Sequence, residues 1–304
     1  LAVSESASFT TLGEAVEFAE HAFLDANLSF GHGMPEAFDE AAYLVLHTLH
    51  LPLDDLDSVW ERPLSASECA SLSNLFDRRV RERVPAAYLT REAWLGPFRF
   101  YVDERVIVPR SFIAELLLEA LSPWIADPDQ VGSILDLCTG SGCLAIVAAE
   151  VFPQARLDAV DLSADALAVA EKNVADYGLN DRIELIASDL FTGLTGRRYD
   201  VIISNPPYVT GHAMSALPDE YRREPEMALA SGSDGLDHMR AILRDAPAHL
   251  HEGGLLVVEV GFNRAGVEAA FPQVPFTWLE VSAGDGVVFM ISCEELLNSL
   301  PSRA

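Results

Sequence analysis

The sequence has 304 residues, 50% of them hydrophobic, with 47 acidic against 20 basic side chains and a formal net charge of -27. That length buries a large core and fits two domains at ~150 residues each. Such a field repels a phosphate backbone, which argues against tight, sequence-independent nucleic-acid binding and favours basic protein partners.

No run of ~18 uncharged apolar residues is present to span a bilayer, and the N-terminal stretch lacks the basic flank and apolar core of a secretory signal. The chain is therefore expected in the cytoplasm, with no membrane partner. Of its four cysteines, Cys138 and Cys143 fall inside an apolar strand and turn. They suit neither a disulfide scaffold nor a C-x-x-C metal pair, and read as small core residues.

Thr11-Leu12-Gly13-Glu14 has capping-box form, and Leu12, Ala15, Val16, Ala19, Phe23 and Ala26 follow at helical spacing. Pro35 suits the first turn of a second helix with Phe38, Ala42, Leu46 and Leu49 on one face. Ser65-Ala66-Ser67-Glu68 caps a third through Leu72, Leu75, Phe76 and Val80. Residues 1–90 thus read as a helical bundle. His47 and His50 share the second helix, but no carboxylate or cysteine pattern completes a ligand set, so no metal is expected. Residues 91–110 read as a β-hairpin linker: Phe98, Phe100 and Val102 alternate, and Asp103-Glu104-Arg105 is expected to turn the chain before Val106-Ile107-Val108. Ser111 is expected to cap a helix from Phe112 to Leu121, opening the catalytic segment, residues 111–304.

From Val131 onward strands alternate with helices, the signature of a doubly wound α/β sheet. The first strand, Ser133–Cys138, runs into Thr139-Gly140-Ser141-Gly142-Cys143-Leu144-Ala145, a G-x-G-x-x-A turn opening a helix through Ala149. Missing side chains there let a ligand approach the backbone amides. The second strand, Arg156–Val160, ends on Asp161, 19 residues beyond Gly142, where a carboxylate can accept both hydroxyls of a ribose. The third, Ile183–Ala187, ends at Ser188-Asp189-Leu190-Phe191, an acid able to receive an adenine amino group beside a leucine able to pack its ring. Singly these are weak signals, since strand-end acids are commonly helix caps; the turn and Asp161 together point to an adenosine-containing cofactor.

The fourth strand, Tyr199–Ile203, delivers Ser204-Asn205-Pro206-Pro207-Tyr208 to the same carboxyl edge. Two consecutive prolines remove two donors and bias Asn205 to an extended conformation, so the segment is a rigid loop. The Asn205 side-chain oxygen and the carbonyls of Asn205 and Pro206 are acceptors there, and Tyr208 offers a flat face, a combination that suits a planar amine or amide. Hydride transfer to a nicotinamide needs no such loop. Methyl transfer to a planar nitrogen does, because acceptors must hold the N–H groups and aim a delocalised, weakly nucleophilic nitrogen at the methyl donor. Beyond it, Asp237–Leu250 is expected as a helix and Gly254–Val260 as a buried strand. Phe276–Val281 and Val287–Ile291, separated by Gly284-Asp285-Gly286, are expected as a terminal antiparallel hairpin.

Together with Gly140-Ser141-Gly142, Glu224-Pro225-Glu226-Met227-Ala228-Leu229 and Gly232-Ser233-Asp234-Gly235-Leu236, the Asn205-Pro206-Pro207-Tyr208 loop makes the chain resemble the N5-glutamine methyltransferases of the class I S-adenosyl-L-methionine fold, over essentially its whole length. The resemblance implies an α/β catalytic domain, a Rossmann-like seven-stranded sheet with a terminal antiparallel hairpin, behind a small helical substrate-recognition domain. It implies S-adenosyl-L-methionine as cofactor, surrounded by Cys138, Thr139, Gly140, Ser141, Gly142, Asp161, Asp189, Leu190 and Asn205. It also implies that Asn205, Pro206, Pro207 and Tyr208 form the catalytic loop, in which Asn205 and the Pro206 carbonyl bind the glutamine amide and Tyr208 shapes the acceptor pocket.

Release-factor enzymes of this family usually carry Pro-Arg-Pro followed by acidic and hydroxyl residues; here the stretch is Pro109-Arg110-Ser111-Phe112-Ile113-Ala114-Glu115. With Leu89-Thr90-Arg91-Glu92-Ala93-Trp94 and Phe100–Val106, it is similar to the branch that modifies the third protein of the large ribosomal subunit. That protein is the expected substrate, and peptide-chain release factors are the alternative. Adenine-N6 methylation of DNA or RNA stays open because an exocyclic amine suits the same loop, although the acidic balance and the helical domain argue against it. A cofactor-binding ribosome-assembly factor without catalysis is the third reading.

Overall fold

In the computed structural model, which describes residues 9–31 and 33–299, the capping boxes act as their spacing requires. The Thr11 hydroxyl accepts from the Glu14 N–H and Glu14 accepts from the Thr11 N–H, both at 3.3 Å, starting α1 (Leu12–Asp25). Helix α2 (Ala37–Thr48) begins after Glu36 without a side-chain cap, so Pro35 stands outside its first turn rather than within it. A short α3 (Leu56–Val59) precedes α4 (Ala66–Arg81), which Ser65 and Glu68 cap reciprocally, and α5 (Ala86–Thr90) ends on Arg91 in the left-handed conformation.

The apolar faces of these helices bury Leu12, Val16, Phe23, Leu44, Leu72 and Phe76 completely. They form one of two units, which extends to Ala93 and also takes in Val102–Glu104 and Pro218–Glu224. Its interior holds a charge: Arg79 is fully buried, and its Nε donates to Glu40 Oε1 at 2.6 Å. Arg79 also donates to the Ser29 carbonyl at 3.0 Å and to Glu220 at 3.4 Å, with its guanidinium 5.9 and 6.0 Å from the Phe23 and Phe30 ring centres.

In the rest of the chain, β1 (Glu92–Leu95) and β2 (Phe98–Tyr101) pair across a turn at Gly96-Pro97. The expected hairpin thus closes earlier. Gly96 takes a φ of 58° and Pro97 presets the turn, whereas Val106–Val108 form no strand. Helix α6 (Ile113–Leu118) is shorter than expected because Ala120 and Leu121 adopt positive φ, and Phe112 rather than Ser111 occupies its cap position.

There follow β3 (Ser133–Leu137), α7 (Cys143–Val151), β4 (Arg156–Asp161), α8 (Ala164–Asp176), β5 (Ile183–Ala187), β6 (Tyr199–Ser204), α9 (Gly211–Ala216) and α10 (Asp237–His249). The chain then forms β7 (Leu250–Glu259), α11 (Arg264–Ala270), β8 (Thr277–Val281), β9 (Gly284–Ser292) and α12 (Cys293–Ser299). Seven strands lie in the order β5-β4-β3-β6-β7-β9-β8, with β9 antiparallel to both its neighbours. The β8–β9 turn is Ser282-Ala283, so the expected Gly284-Asp285-Gly286 turn already belongs to β9. Strands β3 to β5 extend to one side and β6 onward to the other. The order therefore reverses between β3 and β6, where Leu137 stands opposite Ser204, and such a reversal leaves a crevice at the carboxyl ends. Among the described residues no helix is long and apolar enough to cross a membrane.

Arg79→Met keeps the volume but leaves Glu40 buried without its cation and Glu220 with Arg83 alone; the loss expected is about 3–5 kcal/mol, read as a lowered unfolding midpoint in denaturant. Burial raises the Glu220 carboxyl, but the Ser29 N–H, Arg83 and Arg79 outweigh it and hold the group below its ordinary 4.5. The stability it contributes is therefore present above pH 4.5 and is lost as pH falls through the lower folded-state value, a decline that the Arg79→Met variant should show less steeply.

Candidate active site

Beyond Leu137 the chain reverses into α7 through Cys138, Gly140 and Gly142, at φ of 62°, 56° and 79°. Glycine takes this conformation without strain, and a Cβ at Gly142 would in addition stand 3.2 Å from the Ala170 Cβ of α8. Asp136, fully buried in β3, ties the turn from beneath: its Oδ2 accepts from Thr139 Oγ1 at 2.6 Å and from the Ala145 N–H at 3.1 Å. Burial pushes its carboxyl up to about 7. Asn173 of α8 donates to the Ser141 carbonyl at 2.8 Å and exchanges two hydrogen bonds with the Tyr101 backbone, joining the turn to β2. Burial lifts the Cys143 thiol to about 12 and that of Cys138 higher still, so both stay protonated and neither is a nucleophile.

Asp161 ends β4. Its two oxygens accept from the Gly140 and Ser163 N–H groups, each at 2.9 Å, and each oxygen retains a further lone pair. Burial raises this carboxyl while the two amides oppose the shift. The Ser188 N–H donates to the Asp161 carbonyl at 3.0 Å, which brings exposed Asp189 and half-buried Leu190 to the same edge.

At the neighbouring strand end the Ser204 hydroxyl donates to the Leu137 carbonyl at 2.9 Å, locking β6 to β3 just before Asn205. Pro206 and Pro207 are buried, and Asn205 and Tyr208 half-buried. The Val209 N–H donates to the Leu229 carbonyl at 2.8 Å and the Ser231 N–H to the Val209 carbonyl at 3.0 Å. The Glu224–Leu236 stretch is thus the backing of the proline loop. A Cβ at Gly235 would collide with the Tyr208 carbonyl oxygen, and one at Gly261 would stand 2.6 Å from the Tyr208 ring. The Tyr208 hydroxyl donates to Glu259 Oε1 at 3.3 Å. Glu259, the last residue of β7, is 2% exposed and also accepts from Ser111 Oγ at 2.7 Å and the Phe112 N–H at 2.9 Å.

One cavity collects Cys138, Gly140, Asp161, Asp189, Leu190, Asn205 and Pro207. Thr139 and Ser141 line an adjoining recess that shares Ile107, Cys138, Gly140 and Asn205 with it. Gly142, Pro206 and Tyr208 lie on neither wall: Gly142 faces Ala170, and Tyr208 packs on Gly261 with its hydroxyl on Glu259.

The wall also takes in Arg105, Val106 and Ile107 from the segment before Pro109, and Pro225, Met227 and Ala228 from the Glu224–Leu229 motif. Leu162, Ser163 and His238 line it too, and the sequence reading singled out none of these three, nor Glu259 behind Tyr208. His238 shares a 2.8 Å hydrogen bond with the Ser231 hydroxyl, and burial lowers its pKa against the pull of Asp189 and Asp237. Only Glu259 had a readable signal, an acid closing an apolar run beside the strand that carries the loop.

Residues 113–233 match the model of the methyltransferase small domain, and residues 19–90 that of the PrmC N-terminal domain. The ribosomal protein uL3 glutamine methyltransferase of Burkholderia pseudomallei is 57% identical over 95% of this chain and 96% of its own. Its namesake from Neisseria gonorrhoeae is 55% identical over 95% and 96%, and that from Xanthomonas campestris pv. campestris 47% over 94% and 92%. Among solved structures, the hMettl16 catalytic domain in complex with the MAT2A 3′UTR hairpin 6 aligns with a TM-score of 0.51 at 14% identity, covering 76% of this chain and 84% of that one, a likeness of fold alone. The chain belongs to the family of ribosomal protein uL3 glutamine methyltransferases and has the class I methyltransferase fold.

Proposed function

We propose that the protein transfers a methyl group from S-adenosyl-L-methionine to the side-chain amide nitrogen of a glutamine in ribosomal protein uL3, in the cytoplasm. The observation that carries this reading is the place of Asn205, which lies on both the cavity holding the strand-end acids and the recess floored by the glycine turn. The names of the relatives support glutamine and uL3 over a release factor or a nucleic-acid base. The net charge of -27 suits a basic ribosomal protein as partner.

The cavity fits the cofactor. A Cβ at Gly140 would meet nothing within 4 Å, so the turn has room for a close ligand. Asp161 has lone pairs for ribose hydroxyls, Asp189 has an exposed carboxylate for an adenine amine, and Leu162 and Leu190 supply apolar flanks. S-adenosyl-L-methionine supplies, when bound, an electrophilic sulfonium methyl. The chain supplies alignment. An amide nitrogen is weakly nucleophilic because its lone pair is delocalised, and the Asn205 side-chain oxygen and Pro206 carbonyl are assigned to accept its two N–H groups. Held so, the nitrogen keeps one orientation, and the two acceptor dipoles stabilise the positive charge that develops on it.

Asn205→Ala should lower methyl transfer to purified uL3 by roughly 10²–10³-fold, a loss comparable to removing a preorganised dipole, while calorimetric affinity for S-adenosyl-L-methionine changes little. Unchanged turnover would refute the role given to Asn205. Asp161→Ala should act the other way round, weakening cofactor affinity on the order of 10- to 100-fold as a charged acceptor is lost. Mass spectrometry of the product closes the question of substrate: a single added methyl on a uL3 glutamine is expected, and label only in a release factor or in DNA would overturn it.

A further inference from the structure

Glu259 has no place in the reading above, yet it is a nearly fully buried carboxylate at the carboxyl end of the sheet. It joins two segments that the chain brings there separately. Its Oε2 receives the Ser111 hydroxyl and the Phe112 N–H, at 2.7 and 2.9 Å. Its Oε1 receives the Tyr208 hydroxyl at 3.3 Å. Ser111 lines the recess with Ile107 and Asn205, so one side chain spans from the wall of the recess to the far end of the proline loop. Gly261, two residues further on, completes the clamp by standing so close to the Tyr208 ring that a Cβ there would lie 2.6 Å from it.

We propose that Glu259 is a positioning residue for methyl transfer, which fixes Tyr208, and through it the Asn205-Pro206-Pro207-Tyr208 acceptor loop, against the Ser111-Phe112 segment. The proposal rests on the methyl-transfer reading of that loop. The physical argument is that Pro206 and Pro207 stiffen the loop but offer it no N–H donors. Its far end is held by the backbone pairing of Val209 and by the Tyr208 side chain. At 3.3 Å the Tyr208 hydroxyl bond is long and directs the ring rather than gripping it, the packing of Gly261 against that ring adds to it, and small displacements of an acceptor cost rate steeply. A residue acting this way alters turnover more than cofactor affinity.

The test compares Glu259→Gln, Tyr208→Phe and the double variant with wild type, measuring kcat and KM for uL3, calorimetric affinity for S-adenosyl-L-methionine, and unfolding midpoints. Glu259→Gln is expected to lower kcat on the order of 10- to 100-fold with cofactor affinity within about twofold. The double variant should be no slower than the slower single one, because a glutamine's one carbonyl oxygen cannot serve both Tyr208 and the Ser111-Phe112 segment, so both changes weaken the same link. Independently of turnover, the ring resonance of labelled Tyr208, assigned by its absence in Tyr208→Phe, should shift or broaden in folded Glu259→Gln. Should Glu259→Gln fail to fold, Gly261→Ala, which pushes the Tyr208 ring from the other side, takes its place with the same expected split. Additive losses, full turnover in Glu259→Gln, or an unmoved Tyr208 resonance would overturn the proposal. An inactive wild type would instead refute the methyl-transfer reading, and the proposal with it.

Discussion

The reversal of strand order between β3 and β6 is the constraint on which the site depends. Parallel neighbours that feed chain to opposite halves of a sheet leave their carboxyl ends uncovered by a shared crossover. Here those two ends carry the glycine turn and the proline loop, and the 2.9 Å bond from the Ser204 hydroxyl to the Leu137 carbonyl fixes their separation. Asp161 and Asp189 arrive from the next two strands on one side and Glu259 from the strand on the other. Donor-facing and acceptor-facing groups are therefore neighbours through topology, although Cys138 and Asn205 are far apart in the chain.

The carboxyl edge gathers acids, and the work of each is set by what it binds. Asp136 spends its bonds inside the turn, where a buried acid pushed up to about 7 is tolerated because Thr139 and Ala145 donate to it. Asp161 is half-committed: it accepts from two backbone amides and keeps lone pairs toward the cavity. Asp189 is exposed and Glu259 sealed. Asp136 and Glu259 are spent on hydrogen bonds within the protein, whereas Asp161 and Asp189 face the cavity; as the amide nitrogen gains its methyl it gives up one N–H proton, which can leave to water.

Local chemistry was legible where one residue type decides the outcome. The two capping boxes, the glycine turn, Asp161 and the paired prolines are of this kind, and so are the seven strands, whose apolar runs are bounded by polar residues. The hairpin turn was misplaced because Asp103-Glu104-Arg105 looks more polar than Gly96-Pro97, whereas a turn is decided by φ and not by polarity. Ser111 shows the same limit. A serine ahead of a helix suggests a cap, but this hydroxyl turns to Glu259 of β7, 148 residues away, and no local pattern contains that partner. Leu162 and His238 carry no signal for the same reason, since a cavity wall assembled from separate loops has no period.

The chemistry and the choice of substrate are legible on different scales. A loop that holds a planar nitrogen is specified by four adjacent residues, and the same loop admits an amide or an exocyclic amine. What distinguishes them must lie outside it, in surfaces that meet the rest of the substrate molecule. The net charge bears on this from a distance: at -27 it is compatible with a basic protein partner and disfavours sequence-independent binding to a nucleic-acid backbone. Charge of one sign cannot choose among basic proteins, however. That choice rests on residues outside the catalytic loop, and it is near-full-length similarity to uL3 glutamine methyltransferases, not a motif in the loop, that bears on it.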